Sequence, residues 1–290
     1  MAEATIPVDL RNPGQVFACL GLMEAAELLC GPAEGFFAYR GSETRADFAL
    51  RVDGTRDPVT EVIAFLSTAT ASARAPAGGD LAVKETGVAT RAAPDGVFPC
   101  PPPDKPATLP VLIEGPDGRS LPVEYWLDGP HVGRDNVKFW AGSGGYSGAA
   151  LTRDALALVA GMGGNRLAEA AADPFAFAAC QTSSFRFDWR RDYVPLEVGF
   201  SPNRHDSMAM VGYPLVELLS AVGLQHARPQ RLNKLAYRYG VSPTPLPTML
   251  ARAVLGAQPL GFPMRSFRMV LGWPGQEGQA RCILDAQEEL

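Results

Sequence analysis

The chain of 290 residues is 47% hydrophobic and 20% charged, a balance that excludes disordered, fibrous and collagen-like classes and implies a sizeable core. The net charge of -5 argues against a polyanion partner at first sight, yet it is unevenly spread. Residues 1–130 carry 10 basic against 18 acidic side chains, and residues 131–290 carry 16 against 13. No apolar run reaches the roughly 18 residues of a membrane span, and the opening MAEATIPVDLRNPG has neither a basic leader nor a continuous apolar segment. A cytoplasmic location with no membrane partner is the expectation. Five cysteines, widely spaced and without CxxC or CxxH, read as small buried side chains rather than as zinc ligands or disulfides.

In chain order, IPVDL alternates apolar and polar positions as a half-buried strand does, and Asn12-Pro13-Gly14 ends it. QVFACLGLMEAAELLC follows as a helix over 15–30, stopped by Gly31-Pro32. FFAYR and ADFALRV predict a hairpin, and Asp57-Pro58 starts a second helix that ends near Ala71. Residues 71–110, dense in Pro, Gly and Ala, predict a long excursion with little regular structure. LPVLIEG and RSLPVEYWLDG read as two strands around Pro116-Asp117-Gly118. An antiparallel sheet covered by helices, of α+β class, is the resulting architecture. The division expected is an acidic α+β region over 1–130 and a basic α+β region over 131–290, separate or continuous.

The second region opens on KFWAGSGGYSG ahead of a helix over 149–161. Gly142, Gly144 and Ser147 miss the dinucleotide fingerprint at its last glycine, and no Gly-Lys pair exists to form a P-loop. A turn remains whose amides, with Lys138 and Tyr146 nearby and Gly144-Gly145 at its centre, can meet a phosphate. FRFDWRRDY predicts a strand with Phe185, Phe187 and Trp189 on one face and Arg186 and Arg190 on the other. In RPQRLNKLAYRYG, positions 231, 234 and 238 share one face if the segment is helical, making a basic stripe beside Tyr237 and Tyr239. PLVELLSAVGLQ is a further helix, loosely like CLGLMEAAELL, and SFRMVLGW is the last candidate strand. Cations interleaved with rings suit a single nucleic-acid strand, held by phosphate contacts and base stacking.

Catalytic signals are thin. His131, His205 and His226 form no HxH or HxxxH pair, so no metal site is expected, and no cofactor either. His205 in SPNRHDS could act as a base, but GxSxG is absent and a loop histidine is the plainer reading. Asp188 and Asp192, flanking WRR, read as solvated or arginine-paired carboxylates.

Three blocks, IPVDLRNPGQVFACLGLMEAAELLCGPAEGFF, VKFWAG, and GFSP followed by YPLVELLSAVGLQHARP, resemble a small CRISPR-associated protein of the type I-U (I-G) interference systems, in the RAMP superfamily. The resemblance implies RRM-like, ferredoxin-type α+β units and a subunit of a guide-RNA complex, with other effector subunits, guide RNA or target DNA as partners. It supplies no catalytic residue, so a non-enzymatic antiviral role is expected. The residues expected at nucleic acid are Lys138, Gly144, Gly145, Tyr146, Arg186, Arg190, Arg191, Arg204, Arg228, Arg231, Lys234 and Arg238. A purely structural subunit and a metal-independent nuclease are the alternatives.

Overall fold

In the computed structural model, residues 1–75, 88–92, 110–123, 147–191, 210–272 and 281–289 are described. Strand β1 (Ala2–Asp9) leads through helix α1 (Pro13–Cys30) to β2 (Ala33–Ala38) and β3 (Arg45–Val52), then α2 (Pro58–Thr68). The first sheet runs β1-β3-β2, antiparallel throughout. That order, with α1 crossing between β1 and β2, is the ferredoxin-type arrangement. Pro13 sits where α1 needs no N–H, and α2 starts as Asp57 accepts from the Thr60 N–H at 2.7 Å. The second helix stops earlier than expected, at Thr68, because the chain turns extended there. It continues as β4 (Thr70–Ala75), which leaves the first sheet to join β5 (Ala89–Ala92), β6 (Val111–Glu114) and β7 (Ser120–Val123) in the order β5-β4-β6-β7. Most of β4 and all of β5 therefore lie within the stretch 71–110, for which little regular structure is expected, and its residues 76–87 and 93–109 lie outside the described residues.

With β4 diverted, β1 stands at the edge of its sheet among the described residues. Asp9 turns its N–H away from β3, to the Gln15 Oε1 at 2.7 Å. Pro7, two residues earlier, has the same orientation by the strand's period of two, so its missing N–H costs no ladder bond and blunts the edge against pairing.

Helices α3 (Gly148–Ala160) and α4 (Gly164–Ala172) come next, and the Ser147 Oγ caps α3 by accepting from Ala150 N–H at 3.1 Å. The short pair β8 (Ala179–Gln181) and β9 (Met210–Gly212) precedes α5 (Pro214–Gly223). A third four-stranded sheet, the second that is antiparallel throughout and hereafter the second sheet, then forms from β10 (Gln230–Asn233), β11 (Ala236–Val241), β13 (Arg265–Gly272) and β14 (Cys282–Glu289), in that order. The β5-β4-β6-β7 sheet, with its parallel β4-β5 pair, is mixed. Between them, β12 (Leu246–Pro247) pairs with β2, and α6 (Thr248–Leu255) follows it.

Helices α1 and α5 join the halves. Gly21 and Gly223 meet at their crossing: a Cβ on Gly21 would overlap the Leu219 carbonyl and stand 2.8 Å from the Gly223 nitrogen. The two Leu-rich segments that look alike in sequence are thus crossing partners, with backbones in contact. Leu10, Phe17, Leu22, Leu66, Leu218 and Phe267 belong to one continuous core that reaches all three four-stranded sheets. Helix α1 is long and apolar enough to cross a membrane by length and composition, but it is mostly buried at the centre of this core.

The described cysteines are free. Cys19 and Cys282 are buried and Cys30 half-buried, but Cys180 is exposed, against the expectation that all would be packed. It lies in β8, the three-residue strand paired with β9.

Candidate nucleic-acid interface

The segment FRFDWRR is not the strand its alternation predicts. Residues 183–188 have no ladder partner, and Arg186 adopts φ 70°, a left-handed conformation few non-glycine residues take. Its own N–H donates to the Ser184 Oγ at 2.9 Å, which holds the kink. The segment instead lies as a strap across the first turn of α1. Gly14 permits this approach, since a Cβ there would stand 2.7 Å from the Phe187 carbonyl oxygen. Phe185 and Phe187 stack on each other at 5.6 Å, both fully buried, and only Trp189 reaches solvent.

A polar network holds the strap in place. The Phe187 and Asp188 N–H groups each donate to a separate oxygen of the buried Glu217 carboxylate, at 3.2 Å. Burial pushes Glu217 up to about 7, and the Asp188 charge adds to this; the two N–H donors and Arg191 oppose it. Asp188, buried too, accepts from Asn12 Nδ2 at 2.8 Å and from Arg190 Nη2 at 2.6 Å. Arg190 also donates to the Phe175 carbonyl at 2.8 Å and lies 3.7 Å from the centre of the Tyr213 ring. Its expected place on the outward face of a basic strand is therefore corrected: an internal carboxylate and a backbone carbonyl hold its Nε and Nη2, and a ring lies against the guanidinium. The arginine-paired reading of Asp188 holds.

The second basic segment is likewise not helical. It is the β10–β11 hairpin, turning where the Asn233 Oδ1 accepts from Leu235 N–H at 2.9 Å. Tyr237 and Tyr239 alternate with Arg238 along β11, and the rings take the core face. The Tyr239 hydroxyl donates to the Leu10 carbonyl at 2.7 Å, and its ring stacks on Phe267 at 5.4 Å. Arg231 stands opposite Tyr237 while Arg238 stands opposite Gln230, so the two arginines occupy opposite faces of the sheet. Arg238 pairs with Glu289 and Gln230. The expected stripe of 231, 234 and 238 thus does not exist, and the tyrosines are not stacking platforms.

Another grouping does form, at one end of the second sheet. The Ile283 N–H at the start of β14 donates to the Arg186 carbonyl at 3.4 Å, and Arg281 Nη1 donates to the Lys234 carbonyl at 2.5 Å. The Cys282 thiol lies near both the Arg186 and Arg191 guanidiniums, which lower its pKa against the larger upward push of burial. Arg186 itself is depressed, first by burial and then by Arg191. Arg186, Arg191, Lys234 and Arg281, from three separate parts of the chain, therefore share one end of the fold. Arg231 and Lys234 are exposed there along the hairpin. Arg281 carried no signal in the sequence, where SFRMVLGW is the last candidate strand and β14 is not expected.

Arg228 falls elsewhere, its carbonyl against Gly256 at the end of α6. Lys138, Gly144, Gly145, Tyr146 and Arg204 lie outside the described residues, as do His131 and His205. His226 is exposed in the turn after α5. Among the described residues no group of three or more His, Cys, Asp or Glu could hold a metal ion. Comparison with known families, with curated proteins and with solved structures finds no match to this chain.

Proposed function

We propose that this chain is a non-catalytic subunit of a CRISPR ribonucleoprotein of the type I-U kind, and that the end of its second sheet bearing Lys234 and Arg281 lies along a nucleic-acid backbone. The observation that carries the reading is the convergence of Arg186, Arg191, Lys234 and Arg281 on that end. Guanidinium groups match phosphate oxygens in geometry and charge, and crowded cations gain most from an anion. The resemblance of the three sequence blocks and the ferredoxin-type layer support the same assignment.

The contact is electrostatic. With Phe185, Phe187, Tyr237 and Tyr239 in the core, Trp189 is the one exposed ring among the described residues of the two arginine-rich segments. Such a surface reads backbone and shape, leaving sequence to guide pairing. Fluorescence anisotropy with a single-stranded RNA of about 20 nucleotides tests this at low salt, where phosphate contacts are strongest. Lys234→Ala with Arg281→Ala is expected to weaken binding about tenfold, close to 1.4 kcal/mol, with the fold unchanged by circular dichroism. Absence of saturable RNA binding, or equal affinity in the double variant, overturns the reading.

A further inference from the structure

A cleft of about 420 Å³ opens beside the first sheet, between the ends of β1, β2 and β3 and the loop after α4, and Arg190 forms part of its wall. We infer that it holds one nucleotide, as a free nucleoside monophosphate or as the terminal phosphorylated unit of a strand.

Unused donors converge on this space. Gln15 is 4% exposed; its Oε1 is taken by the Asp9 N–H, while its Nε2 has no hydrogen-bond partner among the described residues. Arg190 spends Nε and Nη2 on Asp188 and the Phe175 carbonyl, which leaves Nη1 without a partner there. That guanidinium is immobilised between a buried carboxylate and the Tyr213 ring, so little freedom is lost when it meets a ligand. Arg40 and Arg45, exposed on the rim, have no side-chain partner among the described residues. Three guanidiniums and a carboxamide are the donor set for a phosphate.

Other walls ask for more than an inorganic anion. Glu43, Asp47 and Asp173 also face the cleft and offer acceptors to hydroxyl or amino groups. Tyr39 contributes a ring backed by the Arg265 guanidinium at 4.8 Å. A phosphate, a polyol and a flat ring together describe a nucleotide, and the volume lies in the usual range of about 300–1,000 Å³ for small-ligand sites. The choice of a nucleotide over a simpler sugar phosphate rests on the nucleic-acid reading above.

Isothermal titration of the full chain with each 5′-nucleoside monophosphate, with ribose 5-phosphate and with inorganic phosphate tests this. The variants are Arg40→Ala and Arg45→Ala, whose side chains the fold does not use. A nucleotide is expected to bind saturably with Kd below about 1 mM, and the double variant to bind at least about tenfold more weakly at unchanged melting temperature. A 5′-phosphorylated oligonucleotide that binds more tightly than the monophosphate makes the occupant a strand end; equal affinity makes it a free nucleotide. The inference is overturned by no saturation at about 10 mM, by equal affinity in the double variant, or by ribose 5-phosphate or inorganic phosphate binding as tightly as a nucleotide. RNA binding that persists and depends on Lys234 and Arg281 while nucleotides fail to bind refutes the cleft alone. Nucleotide binding without RNA binding refutes the proposed function alone.

Discussion

Glu217 makes the fold sensitive to pH through a single buried group. Its carboxyl, ordinarily near 4.5, is held at about 7 in the folded protein, chiefly by burial. The native state therefore keeps a proton that the unfolded chain gives up. Between these two values the native state binds more protons, so stability is full below the unfolded pKa and falls as pH rises through the folded one. At about 1.4 kcal/mol for each pH unit, the shift amounts to about 3 kcal/mol lost between about pH 4.5 and pH 7. Urea unfolding followed by tryptophan fluorescence should show the midpoint falling by about 1 M across that window, given a slope of about 3 kcal/mol/M for a chain of this size. Glu217→Gln is the comparison. Its carboxamide accepts from only one of the Phe187 and Asp188 N–H groups, costing about 1 kcal/mol or more at every pH, but it removes the titration. A midpoint difference between the two proteins that stays constant from about pH 5 to pH 8 would refute the reasoning.

Gly21→Ala is expected to cost about 3 kcal/mol or more, because backbone rather than a movable side chain blocks the new methyl group; calorimetry should record a melting temperature at least about 6 °C lower. Asp188→Ala leaves Arg190 and Asn12 without their shared acceptor and should destabilise by about 3–5 kcal/mol in urea. Arg238→Ala, by contrast, removes a half-exposed pair with Glu289 and should cost less than about 1 kcal/mol. The same Arg238→Ala variant should leave RNA affinity unchanged, a result anisotropy can check directly.

The local part of the fold was legible because local chemistry decides it. Asp57-Pro58 starts α2 through a cap and a fixed φ, and the apolar alternation of FFAYR and ADFALRV pairs as β2 and β3. Where distant residues decide, the reading failed. FRFDWRR has a strand's alternation, yet Gly14 and Glu217, far away in the chain, draw it into a strap along α1. Positions 231, 234 and 238 fit a helical face as well as they fit a hairpin, and the alternation of Tyr237 and Tyr239 was the better guide. Counting arginines by region also treats each as a free charge. Arg190 and Arg238 have carboxylates as partners, one two residues away and the other across two strands. Arg281, which the sequence did not single out, reaches Lys234 only because β14 starts beside the hairpin turn.

The most direct test of phosphate contact at the end of the second sheet is the slope of log affinity against log salt for single-stranded RNA. Neutralising each phosphate contributes about 0.7 to that slope. Replacing Arg231, Lys234 and Arg281 together by alanine should flatten it by about 2 while the protein stays folded. An identical slope in the triple variant would place the nucleic acid elsewhere and contradict the account.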